Sequence, residues 1–187
     1  MTTSTGFAVL LGNGDGTFQP PEYFITAVGG LYIATGDLNS DGHPDLAVVV
    51  ANSNDVYVYL GSGAGGFSGP MFAYLPGQFG SSNPIAVGDV NGDGIPDLVN
   101  GTGEVAVGRG NGTFRLPALH PVDNGFGSYQ VALTDLRHNG RTDIVVQDVD
   151  AVSVLLNEGK GQFEDGIWTY PLYPLARPQN PRAGIAD

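Results

Sequence analysis

A pattern that starts at a valine and ends at a phenylalanine recurs four times along this chain, at intervals of 49, 47 and 49 residues. The copies occupy residues 9–18, 58–67, 105–114 and 154–163, and closely spaced glycines precede each final phenylalanine. A period of this length is typical of propeller blades and other arrays, in which one unit buries its apolar face only by packing on the next. The chain is therefore predicted to be a repeat protein.

A second pattern, which ends in aspartate, alternates with the first. It occupies residues 34–37, 86–89, 132–135 and 184–187, and a polar loop and an apolar run follow each of its first three copies. Short runs of branched and aromatic residues between clusters of Gly, Asn and Asp predict four strands in each unit, here called A to D. In the first complete unit, these strands are predicted at residues 31–36, 45–50, 56–60 and 67–74.

Strand C of that unit shows the alternation of a strand with two different faces. Val56, Val58 and Leu60 fall on one face, and Tyr57 and Tyr59 on the other. Between strands C and D, a Gly-x-Gly sequence supplies the positive φ angles that a tight hairpin requires. No segment has a convincing helical period.

Four short antiparallel strands per unit are the composition of a β-propeller blade. A β-sandwich would not repeat at this period, and a β-helix has much shorter coils, so we predict an all-β fold of propeller blades. The single repeat domain, 1–187, is expected to divide into a half blade (strands C and D) at 6–30, blades at 31–83, 84–128 and 129–182, and the first strand of another blade at 183–187. This partial propeller would be a fragment of a longer one, or would close by oligomerisation when two chains complete the ring.

The charge balance limits the partners of the chain. Nineteen Asp and Glu oppose seven Lys and Arg, which gives a net charge of −12. Nucleic acids and anionic membrane surfaces are thus excluded as expected partners. The chain has no cysteine, and no apolar stretch approaches the roughly 20 residues of a membrane helix, so membrane insertion is not expected. An extracellular location is expected, with any signal peptide outside this chain because its first residues lack the basic and apolar regions of one.

Two nine-residue loops between predicted strands A and B carry the most specific chemistry. Residues 37–45 and 89–97 both read Asp-x-Asn-x-Asp-Gly-x-Pro-Asp. Ca²⁺ prefers six to eight oxygen ligands from carboxylates, amides and carbonyls, and a short loop with this spacing can supply them. In each loop, positions 1, 3, 5 and 9 offer side-chain oxygens and position 7 a backbone carbonyl. The predicted calcium ligands are Asp37, Asn39, Asp41, His43 and Asp45 in the first loop, and Asp89, Asn91, Asp93, Ile95 and Asp97 in the second.

The alternative interpretation is that Asn-x-Asp-Gly forms a good turn and that the acids are simply solvated. Three carboxylates within nine residues, twice at identical offsets, would then repel one another without compensation. The loops also differ from an EF-hand, because Val48 and Asn100 stand where the EF-hand has glutamate at position 12. We therefore expect Ca²⁺ held by β-loops.

The third copy of the loop, residues 135–143, departs from the pattern. Arg137 replaces a ligand, and Asn139 replaces a carboxylate. Cationic side chains beside a cation site disfavour its occupancy, so an Arg–Asp contact is expected in place of the ion. Asp135, Asn139 and Asp143 remain the candidate ligands of a degenerate site.

The two loops and the glycine-rich hairpins together resemble the FG-GAP and VCBS repeats of bacterial surface proteins, integrin α-subunit propellers and a fungal lectin propeller. The resemblance covers residues 6–187 and implies a propeller with structural calcium in rim loops, in a family that mostly mediates adhesion, carbohydrate binding or protein binding. The expected function is thus a calcium-binding extracellular adhesion module with a protein or carbohydrate ligand on a cell surface or matrix. A calcium-dependent lectin, or an accessory propeller of a secreted polysaccharide- or lipid-processing enzyme, remains open.

Three further features of the sequence bear on function. Residues 61–66 match Gly-x-Gly-x-x-Gly, but a strand rather than a helix follows them, so a hairpin turn is expected instead of a phosphate site. No nucleophile lies in a recognisable catalytic elbow, so catalysis is not expected. The aromatic segment 167–175, with Trp168, is interpreted as an outer strand and connection; stacking on sugar rings is the alternative.

Overall fold

The structure is a computed structural model, and it describes residues 2–3, 6–25, 30–50, 53–76, 84–116, 130–148, 151–164 and 168–171. Within these ranges the regular structure consists of strands alone, as predicted. The strands are β1 (Thr2–Thr3), β2 (Gly6–Val9), β3 (Glu22–Ile25), β4 (Gly30–Gly36), β5 (Asp45–Val50), β6 (Asp55–Gly61), β7 (Phe67–Tyr74), β8 (Ile85–Gly88), β9 (Asp97–Asn100), β10 (Val105–Ala106), β11 (Gln130–Thr134), β12 (Asp143–Gln147), β13 (Ala151–Leu155), β14 (Asn157–Gly159), β15 (Gln162–Phe163) and β16 (Trp168–Pro171).

The strands form four antiparallel sheets that follow the order of the repeats. Sheet 1 has the order β1-β2-β3, sheet 2 β4-β5-β6-β7, sheet 3 β8-β9-β10, and sheet 4 β11-β12-β13-β16, while β14 and β15 form a separate ribbon. Sheet 2 reproduces the predicted strands A to D of one blade, with bounds that differ by at most one residue. Sheet 1 contains the predicted strands C and D as β2 and β3, and β1 adds a short strand beside β2.

Strand β5 shows why the sheets stack. Its six residues are all buried, which is typical of a strand covered on both faces. Leu46, Val48 and Val50 belong to the core cluster with Phe7 of sheet 1. Ala47 and Val49 belong to the cluster that includes residues of sheet 3. Sheet 2 is therefore packed between its two neighbours in the chain.

The cores between sheets have the alternation expected from the sequence. Val56 and Val58 of β6 lie in the core shared with sheet 3, whereas Tyr59 lies in the core shared with sheet 1. The ring of Phe7 completes that core by stacking on Phe24 at 5.0 Å and meeting Tyr59 edge-on at 5.0 Å. A third core joins sheets 3 and 4.

The turns between successive strands place the predicted loops at one edge of the stack. The three nine-residue loops connect β4 to β5, β8 to β9 and β11 to β12. The glycine-rich hairpins that follow β6, β10 and β13 lie at the same edge. Three parts of the prediction fall outside the described residues: the rest of a fourth strand in sheet 3 beyond residue 116, the blade ends at 83, 128 and 182, and the strand at 183–187. In the described part of the chain, no helix has the length and apolar character needed to cross a membrane.

Candidate functional site

The first loop, residues 37–45, is organised by hydrogen bonds from its own backbone. The two carboxylate oxygens of Asp37 accept from the N–H groups of Asp41 (3.0 Å) and Gly42 (2.9 Å). Asn39 Oδ1 accepts from the same Asp41 N–H at 3.2 Å, and Asn39 Nδ2 donates to Asp41 Oδ2 at 2.9 Å. The side chains at positions 1, 3 and 5 are therefore immediate neighbours, as the calcium prediction requires.

The second loop, residues 89–97, repeats this arrangement. Asp89 Oδ1 and Asn91 Oδ1 both accept from the Asp93 N–H, at 3.3 and 2.8 Å, and Asn91 Nδ2 donates to Asp93 Oδ2 at 3.0 Å. Asp89 Oδ2 accepts from Gly94 N at 2.8 Å. Two loops with different residues at their variable positions thus adopt the same geometry, because their Asp, Asn and Gly positions coincide.

Position 7 is fixed in both loops through its backbone nitrogen. His43 N donates to Asp41 Oδ1 at 2.8 Å, and Ile95 N donates to Asp93 Oδ1 at 2.9 Å. The glycine at position 6 has a positive φ, 85° for Gly42 and 82° for Gly94, as predicted for the sharp turn. The predicted ligand role of the His43 and Ile95 carbonyls stays a prediction.

The aspartate at position 9 connects each loop to the hairpin beside it. Asp45 is fully buried, and its two oxygens accept from Leu38 N and Gly61 N, each at 2.7 Å. Asp97 accepts in the same way from Val90 N at 3.0 Å and Gly108 N at 2.9 Å. These carboxylates hold the loop against the start of the hairpin, a structural role that the loop sequence does not indicate.

In the first two loops, two acids have a clearly shifted pKa. Hydrogen bonds from the Asn39 side chain and the His43 N–H hold the pKa of Asp41 below its usual value, which keeps this carboxylate ionised. Burial raises the pKa of Asp97 to about 6, although N–H groups of Gly108 and Val90 counteract it, and the charges of Asp93 and Asp89 raise it further. The second loop therefore concentrates negative charge that a cation would neutralise.

The donor set of both loops fits a hard cation. Every side chain at positions 1, 3, 5 and 9 offers oxygen, the ligand atom that Ca²⁺ prefers, and those at positions 1, 3 and 5 lie side by side. Among the described residues, however, the structure has no group of three or more His, Cys, Asp or Glu placed to hold a metal ion. Asp45 and Asp97 accept from backbone N–H groups of the adjoining hairpin, so positions 1, 3 and 5 contribute two carboxylates and one amide in each loop. The ligand assignment stays a prediction.

In the third loop a guanidinium group occupies the centre of the network. Arg137 Nη1 donates to Glu158 Oε1 at 2.8 Å, and Arg137 Nη2 donates to the Asn157 carbonyl at 2.5 Å. Its Nη2 also lies 3.6 Å from Asp143 Oδ1, so the predicted Arg–Asp contact is present. The candidate ligand Asp135 accepts from Asn139 N and Gly140 N, at 3.1 and 2.8 Å. This loop keeps the backbone of the other two but supplies its own positive charge.

The loops also join one sheet to the next. The Leu38 carbonyl in the first loop accepts from Gly112 N, in the hairpin of sheet 3, at 2.9 Å. The Val90 carbonyl, at the same position of the second loop, accepts from Asn157 Nδ2 in sheet 4 at 2.7 Å. Position 2 thus links each nine-residue loop to the following sheet, once through a backbone donor and once through a side chain.

Sequence reasoning missed Asn157 and Glu158, and a signal for Asn157 was available. Gly61 in sheet 2 and Gly108 in sheet 3 occupy the position that Asn157 occupies in sheet 4. A Cβ added to Gly61 or Gly108 would lie 2.1 or 2.2 Å from a proline carbonyl oxygen of the adjacent loop, so only glycine fits there. In sheet 4 the proline is replaced by Thr142, whose carbonyl accepts from Asn157 Nδ2 at 2.8 Å. Proline and glycine are thus replaced together by Thr142 and Asn157, and the Asn157 side chain makes the contact to the preceding loop that is absent at Gly61 and Gly108.

Two other predicted features are placed by the structure. Residues 61–66 form the turn between β6 and β7, with positive φ at Gly63 and Gly65, so the hairpin interpretation is confirmed. The strand predicted in 167–175 is present as β16, which pairs with β13 at the outside of sheet 4. Tyr170 is exposed there, and the side chain of Trp168 lies outside the described part of the structure.

Comparison with known proteins identifies relatives of the repeats and of the fold. The sequence profile of the FG-GAP-like repeat matches residues 1–48 and 37–99. A lectin from Agrocybe aegerita, which recognises non-reducing terminal N-acetylglucosamine, superposes with a TM-score of 0.66 at 24% identity, over 89% of this chain and 46% of the lectin chain. No curated protein sequence matches the chain.

A second structural neighbour is the V. cholerae biofilm matrix protein Bap1, with a TM-score of 0.37 and 15% identity over 90% of this chain and 39% of that one. This superposition is too poor to support an argument. The lectin superposition confirms the propeller-type, lectin-like arrangement of sheets, and the chain spans less than half of either neighbour.

Proposed function

This chain belongs to the FG-GAP-like repeat family, and from that premise we propose that it is a calcium-stabilised, propeller-type module that binds other molecules outside the cell. Its role is binding or adhesion rather than catalysis, and its ligand is a protein or a carbohydrate of a cell surface or matrix. Membership of a repeat family and a lectin-like fold support the binding role. Function on such folds resides in the loops that the sheets position.

One observation carries the proposal: the two Asp-Asn-Asp loops are also the joints between sheets. The first loop meets sheet 3 through Leu38, and the second meets sheet 4 through Val90. A change in how rigidly these loops are held therefore directly affects the packing of neighbouring sheets. Calcium in the loops would thus determine how firmly the binding surface is held.

Within each loop, the residues have separate tasks. Asp37, Asn39 and Asp41 would hold the ion in the first loop, and Asp89, Asn91 and Asp93 would hold it in the second. Bound calcium would supply the positive charge that offsets the two closely spaced carboxylates at positions 1 and 5 of each loop. Asp45 and Asp97 fix the loop to the hairpin through backbone N–H groups.

Thermal unfolding with and without a chelator tests the stabilising role. At a free calcium concentration 100-fold above Kd, each site should add about 2.7 kcal/mol, which for a chain of this size corresponds to a rise of roughly 5–10 °C in Tm. Asp41→Asn should remove the rise in Tm that the first loop contributes, and Asp93→Asn the rise that the second loop contributes. Equal melting in calcium and in chelator would contradict the proposal.

The third loop offers a matched control. Asp135 accepts the same two backbone hydrogen bonds as Asp37 does in the first loop. Asp135→Asn should therefore lower Tm by a similar local amount in calcium and in chelator, and leave the difference between the two unchanged. A variant effect limited to the calcium sample would show that the third loop also binds the ion.

A lectin activity is a second candidate, which the fold similarity to the Agrocybe aegerita lectin favours. A glycan array with calcium-loaded protein is the direct test. Binding that disappears in chelator and in Trp168→Ala would support this candidate. An array without specific binding would leave protein adhesion as the proposed activity.

A further inference from the structure

Two adjoining clefts lie between sheets 3 and 4, at the edge that carries the loops. Their volumes are about 420 and 400 Å³, within the usual range of small-molecule sites. Val90, Asn91 and Lys160 line both clefts. The larger one, here called the Lys160 cleft, is lined by Asn91, Val105, Val107, Arg115, Lys160 and Gln162, together with residues of the second loop.

Positive charge is concentrated here in a chain of net charge −12. Three of the seven basic residues line the two clefts, namely Arg115, Arg141 and Lys160. Arg141 lies 3.9 Å from Glu158, but among the described residues Arg115 and Lys160 form no ion pair. Both cationic groups of the Lys160 cleft are therefore available to an anion.

Lys160 is held in an unusual conformation. Its φ is 56°, in the left-handed region, whereas the corresponding residues of the other hairpins, Asp15, Ala64 and Asn111, do not have positive φ. A left-handed backbone is sterically unfavourable for a residue with a Cβ. Such strain is concentrated at functional sites. The neighbouring Gly161 lies beside Asn91, because a Cβ added to it would be in ordinary van der Waals contact with the Asn91 Cβ at 3.4 Å.

The rest of the lining combines apolar and amide groups. Val107 is partly exposed and gives the wall an apolar patch that suits the C–H face of a sugar ring, whereas Val90 and Val105 belong to the buried core of sheets 3 and 4. Asn91 and Gln162 offer amide groups to hydroxyls. Two unpaired cations match one carboxylate. We propose that the Lys160 cleft binds an acidic sugar, with Arg115 and Lys160 on its carboxylate.

This inference rests on the proposed function, because Asp93 of the second loop also lines the Lys160 cleft. In the calcium-free loop, its charge and that of Asp89 oppose an anion nearby. In the loaded loop, that repulsion is offset. Binding of the acidic sugar should therefore be tighter in calcium, and by linkage the sugar should tighten calcium binding by the same factor.

The test is a titration of the whole ¹⁵N-labelled chain with sodium glucuronate and with glucose, followed by amide chemical shifts. In calcium, glucuronate should shift the amides around Lys160, and glucose should not. Lys160→Gly removes the cation and relieves the left-handed strain, so it should fold at least as well and bind glucuronate about fivefold more weakly, the effect of one exposed charge contact. Arg115→Gln should act similarly.

Arg109→Gln is the matched control, because Arg109 is an exposed cation on the corresponding hairpin of sheet 3 and lines neither cleft. Its glucuronate affinity should equal that of the parent chain. Methyl β-glucuronide, whose C1 is blocked, separates the sources of the ligand: binding equal to glucuronate indicates a polysaccharide residue, and loss of binding indicates the free sugar.

The outcomes separate this inference from the proposed function. Equal binding of glucose and glucuronate, or an unchanged affinity in Lys160→Gly, would overturn the acidic-sugar site even if calcium titration of the same sample shows loaded loops. Glucuronate binding that depends on Lys160 but has the same affinity in calcium and in chelator would overturn the coupling between calcium binding and sugar binding. Loss of calcium binding alone would count against the proposed function.

Discussion

The fourth residue of each nine-residue loop lies in the left-handed region. Its φ is 60° for Ser40, 81° for Gly92 and 54° for His138. Only the second loop has glycine at this position, the residue that adopts such a conformation without steric cost. Ser40 and His138 therefore hold a strained backbone, which the hydrogen bonds of the flanking Asp and Asn residues stabilise.

Ser40→Gly should stabilise the chain. The relief of the left-handed strain, about 1–2 kcal/mol, exceeds the entropic cost of a glycine, roughly 0.5–1 kcal/mol, so a net gain of about 0.5–1 kcal/mol is expected. Urea denaturation measures it. Ser40→Ala keeps the Cβ and should bring no gain; equal effects of the two variants would refute the strain explanation.

The raised pKa of Asp97 predicts a pH dependence in calcium-free protein. Its pKa is about 6 in the folded chain and 3.8 ordinarily, so the folded chain holds this proton more strongly than the unfolded chain. The resulting stabilisation is complete below the ordinary pKa and is lost as the pH rises through 6. Relative to Asp97→Asn, the free energy of unfolding should fall by on the order of 2–3 kcal/mol between pH 4 and pH 7.

Urea denaturation of both proteins in chelator, at several pH values, measures this difference. Because both proteins share every other titrating group, their difference isolates position 97. A difference that stays constant over the range would show that burial does not raise the pKa of Asp97.

The nine-residue loops and the hairpins form paired units, and much of each pair could be predicted from sequence. The repeated Gly positions predicted the hairpin turns, and the repeated Asp and Asn positions predicted the nine-residue loops. The contacts of Arg137 could not be predicted in full, because Glu158 and Asn157 are 21 and 20 residues away and meet it only when the hairpin folds back on the loop. The second role of Asp45 was missed for the same reason, since Gly61 is 16 residues distant.

The third loop should regain a calcium site when its pattern is restored. Arg137→Asn with Asn139→Asp gives residues 135–143 the same acidic and amide positions as the other two loops, and removes the internal cation. Isothermal titration should then detect one additional ion per chain. Arg137→Asn alone is the control and should add none, because the carboxylate at position 5 is still missing. An unchanged count in the double variant would contradict the assigned ligand positions.

The four sheets are held together by apolar cores on both faces of the inner sheets and by the loops at one edge. The chain spans 46% of the lectin chain on which it superposes. Two arrangements are predicted from the sequence: the chain is a fragment of a longer propeller, or two chains complete one ring. Multi-angle light scattering separates them, because the two-chain ring predicts about twice the chain mass of 19.4 kDa, and a well-folded monomer would contradict it.

Calcium stoichiometry tests the central claim, that two loops bind the ion and thereby join the sheets. Isothermal titration of the metal-stripped chain should give two Ca²⁺ per chain, and Asp41→Asn and Asp93→Asn should each reduce the count to one. Absence of calcium binding, or a stoichiometry that neither variant changes, would contradict the account.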